Sequence, residues 1–506
     1  MVSITDNQPM IGRQLFDVIT SGMYDNPLMI FREYVQNSAD SIDLAVSQGA
    51  LIMKDARISI ELHGNDRSIT IQDNGLGLSN GEAHFILKSL GCSPKEGTTQ
   101  RGFRGIGRLG GLAYCSELKF ETRASINEDV AVISWDRLAI EKLAAETDRF
   151  VSLMETVEKV SMVSLRPAND NDLDHFFKVT LINVKRFHAD VLMNVKVVTD
   201  YLAQVAPVSY REEHFQWAPL IYEYLAKVSD FRCYEISVNN RKVMRPYFNS
   251  FAINTKLSDR VDNIEFFTFN GVDNTPIALG WYAKTNFYGS ITTQQNISGI
   301  RIRLGNIEVG GQQFLDSMYS ERRFAGWQIG EIHILNNRLK PNARRDDFEQ
   351  SPDYELFIEQ TAFLCRHLSA LCRKSSTQRF AHIRVENTLN EIEYLFGGTS
   401  IFLDEKHYEL AINRAQVTLK KIQSMSNNNV PYELKKKYYE LKDKIEKRDD
   451  NPVYLTTYLD ETMMLNHFNQ KTLFTHIAKS IIDSYDKSNS AEEILNMIVT
   501  DFSLSK

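Results

Sequence analysis

Apolar positions recur at helical spacing from Phe31 to Asp43: Phe31, Val35, Ala39 and Ile42 make one stripe, and Glu33, Asn37 and Asp40 make a second at i, i+4 and i+7. The pattern then changes period. Ile58, Ile60 and Leu62 alternate with polar residues over Arg57–His63, and Ile69 and Ile71 do so over Ser68–Gln72. These spacings predict a helix and two adjacent strands joined by the turn Gly64-Asn65-Asp66. Further strands are expected at Leu118–Thr122, Val130–Trp135, Val160–Leu165 and Phe177–Ile182, with a helix over Arg137–Ala145. Residues 9–30 also show helical periodicity in part.

From about Val197 the pattern predicts a helix followed by strands at Cys233–Val238, Glu265–Phe269, Ile277–Tyr282, Ile300–Leu304 and Glu331–Leu335. Beyond Tyr354 the chain reads as helices. Leu434, Tyr438, Leu441 and Ile445 form a short stripe of the coiled-coil kind. The domains expected are therefore 1–190 and 191–352, both α/β, and a mainly α-helical region at 353–506.

Composition adds limits. A chain of 506 residues exceeds what one core supports. The formal net charge of -7 gives no global attraction to nucleic acid. No apolar run is long enough for a membrane span and no N-terminal signal is evident, so a cytoplasmic protein without a membrane partner is expected. The five scattered cysteines form no CxxC pair, which argues against a zinc site or disulfide framework.

Three stretches and one strand threonine carry candidate chemistry. On the first helix, Glu33, Asn37 and Asp40 combine a candidate base, a candidate metal ligand and a further acid, with a plain solvated face as the alternative. Asp73-Asn74-Gly75-Leu76-Gly77 follows the second strand; its acid suits an exocyclic amine such as that of adenine, and its glycines permit close approach. Gly91–Gly111 is rich in glycine and contains Lys95, Arg101, Arg104 and Arg108, a composition suited to phosphate. A helix is expected to start near Gly107. Thr180, on the last strand of this region, offers a hydroxyl.

In this order, these elements resemble the GHKL ATPases, and most nearly the branch of the ninety-kilodalton heat-shock chaperone. Phe31–Asp43 is similar to that branch's FRE-x3-N-x2-D-x2-D, and Leu90–Thr98 to its LGT-x2-KSGT. The resemblance implies a Bergerat-type α/β sandwich ATPase at the N-terminus and an α/β middle, or transducer, domain after it, with ATP and Mg²⁺ as cofactors. By that likeness Glu33 orients or deprotonates the attacking water, and Asn37 binds Mg²⁺. Asp73 receives the adenine amine, Gly77 lets the base approach, and Asp40 and Thr180 support the adenine and water network. Lys95 and the amides of Gly102, Gly105, Gly107, Gly110 and Gly111 hold the phosphates. Arg104 and Arg108 stand where that branch has phenylalanines, and the Gly102–Gly105 start looks more like MutL.

Leu339–Glu349 resembles the branch's LPLN-x-SRE loop. Alignment on Asn342 puts the γ-phosphate arginine at Arg345, with Arg344 its neighbouring alternative. The function implied is an ATP-hydrolysing, chaperone-like conformational machine in which closure of the glycine-rich segment and docking of the middle domain accompany Mg-dependent hydrolysis. It would act as a homodimer, with a protein client or partner on the helical region. The alternative is a DNA-acting ATPase of the MutL or MORC kind, including one serving bacterial defence, although nucleic acid is the less favoured partner.

Overall fold

The computed structural model describes residues 26–89, 107–145, 153–187, 189–226, 231–335, 339–342, 344–396, 401–402, 404–425, 431–447 and 452–454. Its contacts divide the chain into two compact units, 1–372 and 373–506.

In the first unit, helix α1 (Met29–Ser47) buries Phe31, Val35, Ala39 and Ile42, the stripe that the periodicity marks, together with Ile30 and Tyr34. Strands β1 (Arg57–His63) and β2 (Ser68–Asp73) are antiparallel and in register from Ile58↔Asp73 to His63↔Ser68. Helix α2 (Asn80–Lys88) begins with a capping box in which Ser79 and Glu82 satisfy each other's backbone amides. A 3-10 turn, Gly107–Ala113, leads into β3 (Glu117–Arg123) and β4 (Val130–Asp136). Helices α3 (Arg137–Ala145) and α4 (Leu153–Val160) precede β5 (Ser161–Arg166) and β6 (Phe176–Ile182). Ile58, Ile60, Ile69, Ile71, Val179, Leu181 and Phe120 form one core with the buried stripe of α1.

Helices α5 (Val195–Val205) and α6 (Ala218–Ala226) follow, and then β7 (Glu235–Val238) and β8 (Arg241–Lys242). These two strands return to the first sheet. β7 pairs in parallel with β1, Ile58 opposite Ile236, giving the strand order β5-β4-β3-β6-β2-β1-β7-β8. The sheet thus draws strands from both sides of residue 190. After β9 (Ser250–Ala252) and β10 (Ser258–Arg260) come β11 (Asn263–Asn270), β12 (Pro276–Lys284), β13 (Gly299–Leu304), β14 (Ile307–Val309) and β15 (Ile329–Ile334). The last five form a second sheet in the order β11-β12-β15-β13-β14.

Behind this second sheet lies an ionic cluster that hydrophobic patterning does not reveal. Glu331 is fully buried, with its Oε1 2.7 Å from Arg303 Nη2 and 3.5 Å from Arg245 Nε. Tyr210 and Tyr247 donate their hydroxyls to the same carboxylate at 2.5 and 3.0 Å. Burial opposes its charge, yet Arg303 and Arg245 hold the Glu331 carboxyl well below the usual range.

In the second unit, the end of α7 (Pro352–Phe396) packs with α8 (Glu405–Met425) and α9 (Tyr432–Lys447). Leu389, Ile392, Ile412, Leu419, Tyr438, Leu441 and Ile445 form its core. A two-stranded pairing, β16 (Ile401–Phe402) with β17 (Val453–Tyr454), completes it. Among the described residues no helix is long and apolar enough to cross a membrane.

Candidate nucleotide site

The end of β2 is held against α1 by its own backbone. Asp73 Oδ1 accepts the Gly75 amide at 2.9 Å, and the Leu76 amide donates to the Ser41 carbonyl of α1 at 3.2 Å. A side chain at Gly75 would meet Ser41 Oγ at 2.3 Å, so only glycine lets the turn lie this close to the helix. Gly77 has φ +68°, and a Cβ there would lie 2.1 Å from the Arg123 carbonyl oxygen. The constraint on Gly77 visible here is thus close packing on β3.

Asp73 is buried, at 2% exposure. Burial pushes its carboxyl up to about 7, against the pull of the Ser38 hydroxyl, the Gly75 amide and the Ser41 hydroxyl. His175 fixes the same turn through Nδ1, 2.7 Å from the Gly75 carbonyl oxygen. Thr122, on β3, accepts the Leu78 amide at 2.9 Å and donates to the Phe176 carbonyl at 2.8 Å.

Asp40 is buried on α1, while Glu33 and Asn37 are half-buried. Glu33 has two arginine neighbours: Arg32 Nη2 and Arg345 Nε each lie 3.5 Å from its Oε1. Arg345 is buried and adopts a left-handed backbone (φ 56°). The neighbouring Arg344 is exposed, and its carbonyl accepts Arg32 Nη2 at 3.2 Å. The loop therefore meets α1 at two adjacent points, and it is Arg345 whose guanidinium reaches the carboxylate.

Thr180 is not brought to this site. In β6, Phe177 lies opposite Asp73 and Thr180 lies opposite Thr70, three residues along; strand alternation turns Thr180 to the sheet's other face. Thr122 is the strand hydroxyl that meets the Asp73–Leu78 turn. It carries no signal beyond an ordinary position in an alternating strand.

Gly107 opens the 3-10 turn, and Gly110 and Gly111 are buried within it. The Gly111 amide is taken up by Tyr34, whose Oη accepts it at 3.1 Å and donates to the Arg108 carbonyl at 3.0 Å. The Arg108 guanidinium donates to the Ser89 carbonyl. Lys95, Gly102 and Gly105 lie outside the described residues, as does most of the expected phosphate-binding segment.

Residues 29–164 match the family described as histidine kinase-, DNA gyrase B-, and HSP90-like ATPase, and the fold and the GHKL likeness of this part of the chain agree with that match. The chain is 35% identical over 94 residues to chaperone protein HtpG of Legionella pneumophila (strain Lens), covering 17% of this chain and 15% of the relative. It is 37% identical over 98 residues to chaperone protein HtpG of Coxiella burnetii (strain RSA 493 / Nine Mile phase I), covering 18% and 15%. The matched stretch is thus a small part of those chaperones. The ATPase region of Saccharomyces cerevisiae topoisomerase II aligns at 12% identity with a TM-score of 0.39, over 69% of this chain and 85% of that one.

Proposed function

We propose that this protein binds and hydrolyses ATP in the site between α1 and the end of β2, and that the second sheet takes part through Arg345. The observation that carries this reading is the 3.5 Å approach of Arg345 Nε to Glu33 Oε1, across 312 residues of sequence counted as 345 minus 33. An acid poised to activate water and a cation suited to a transferring phosphoryl group then stand side by side, supplied by separate parts of the chain.

In this reading Asp73 accepts the adenine amine while the turn at Gly75 keeps the carboxylate oriented. Glu33 takes a proton from the attacking water. The Arg345 guanidinium leaves Glu33 for the phosphate oxygens once nucleotide is bound and stabilises the charge that develops there. Among the described residues no three His, Cys, Asp or Glu side chains cluster to hold a metal. Magnesium would therefore draw most of its oxygen ligands from phosphates and water, with the Asn37 amide oxygen as the protein's ligand. When bound, the ion draws charge from the phosphates. The likeness of part of the chain to the HtpG chaperones supports coupling of hydrolysis to conformational change.

The test is Mg-ATP hydrolysis by the purified chain. Arg345→Ala should retain nucleotide binding and lose about 10³-fold or more in kcat, the scale of an arginine acting on a transferring phosphoryl group. Arg344→Ala should stay close to the parent, because its side chain is exposed and it is the Arg345 guanidinium that meets Glu33. Unchanged turnover in Arg345→Ala would remove the catalytic assignment.

A further inference from the structure

One acid on α1 has no part in the chemistry above. Asp43 Oδ1 accepts the Tyr234 hydroxyl at 2.6 Å and Arg232 Nη1 at 3.0 Å. These residues immediately precede β7, where the chain joins the edge of the first sheet. The Arg232 carbonyl in turn accepts Asn306 Nδ2 at 2.9 Å. Asn306 occupies the turn between β13 and β14 with φ 63°, and its Oδ1 accepts Arg245 Nη2 at 2.6 Å. At the other end of β14, the Gly310 amide donates to the Arg345 carbonyl at 2.8 Å. One three-residue strand thus links Asp43's partner to the backbone of the arginine that meets Glu33.

We propose that Asp43 is a positioning residue: by holding Arg232 and Tyr234 on α1 it sets, through Asn306 and β14, where Arg345 stands relative to Glu33. This rests on the ATPase reading above. The same helix then carries the acid that works with the arginine and, ten residues on, the acid that registers the second sheet against it. A charged acceptor suits this task. It takes a guanidinium and a phenol at once from one oxygen, and charge-assisted bonds of this kind are short and directional.

The experiment compares Asp43→Ala, and Asp43→Asn as the milder variant, with the parent chain. Nucleotide affinity should stay within about twofold while kcat falls about tenfold to a hundredfold, the scale of a small misplacement at a reacting centre. In an Arg345→Ala background, Asp43→Ala should cause no further loss in kcat. An independent readout joins Arg32→Cys to Arg344→Cys with a short bifunctional thiol reagent, followed by mass spectrometry of the linked peptides. Linking should slow in Asp43→Ala and, approached from the other side, in Arg232→Met. Equal loss of kcat in both backgrounds, loss of affinity alone, or an unchanged linking rate would overturn the proposal. A parent chain without ATPase activity would sink the functional reading and leave the linking rates to judge the role of Asp43.

Discussion

The Tyr34 hydroxyl fills the space that a side chain on Gly111 would need: a Cβ there would lie 2.4 Å from it. The two residues are matched, since the same hydroxyl takes the Gly111 amide and binds the Arg108 carbonyl. Gly111→Ala should therefore be strongly destabilising, and less so in a Tyr34→Phe background. Tyr34→Phe alone leaves a buried amide without its acceptor and should cost about 1–3 kcal/mol. Chemical denaturation of the two single variants and the double variant checks the coupling.

Glu33→Ala should bind nucleotide and lose about 10²- to 10⁴-fold in turnover, the range of a positioned general base. Arg32 and Arg345 then lose a shared anionic neighbour, so binding of the triphosphate should hold or tighten. Equilibrium binding and single-turnover hydrolysis separate the two effects.

Asp73→Asn should abolish adenine-nucleotide binding, because an amide nitrogen or a misoriented oxygen replaces the acceptor. In the parent, binding requires the carboxylate, whose pKa is pushed up to about 7. Affinity should fall as pH drops through that value, by about tenfold per unit well below it. The nucleotide-free chain should respond in the opposite direction. A carboxyl whose folded pKa is raised contributes stability at low pH that is lost as pH rises through about 7. Titration calorimetry and thermal unfolding across that range test the opposed trends.

Glu331→Gln should destabilise the first unit by about 3–5 kcal/mol, since Arg245 and Arg303 would remain buried without their counter-charge. A Glu331→Gln chain that unfolds at the parental denaturant concentration would contradict the ionic description of this core.

The α/β class and helical C-terminal region were legible because most strands announce themselves by alternation and α1 by its stripe; Arg137–Ala145 is the helix expected there, and the stripe Leu434, Tyr438, Leu441 and Ile445 lies on one helix. The Glu33, Asn37 and Asp73 placements rest on local spacing and on resemblance. What escaped was non-local. The Asp43–Tyr234 bond leaves no periodic trace, and a single hydroxyl such as Thr122 looks like any strand threonine; the Arg345–Glu33 approach leaves none either, and Arg345 was reached only through the resemblance of Leu339–Glu349. Thr180 failed as a site residue by the parity of the strand, which becomes legible only once the register against Asp73 is known. Glu331 reads as the polar start of the strand Glu331–Leu335, whereas the strand begins at Ile329 and buries Glu331 between two arginines.

The pairing of β7 with β1 has a consequence for how the chain is made. Leu62 donates its amide to Asn239 Oδ1, a partner 177 residues later. A ribosome adding about 5–20 residues per second thus leaves the β1 edge without its native neighbour for about 10 s or more after the acid-bearing helix has emerged. During that interval β1 is an open template for other strands. Fragments that stop short of β7 should inherit the problem permanently, making solubility on truncation a measure of how much the later region shields the nascent ATPase fold.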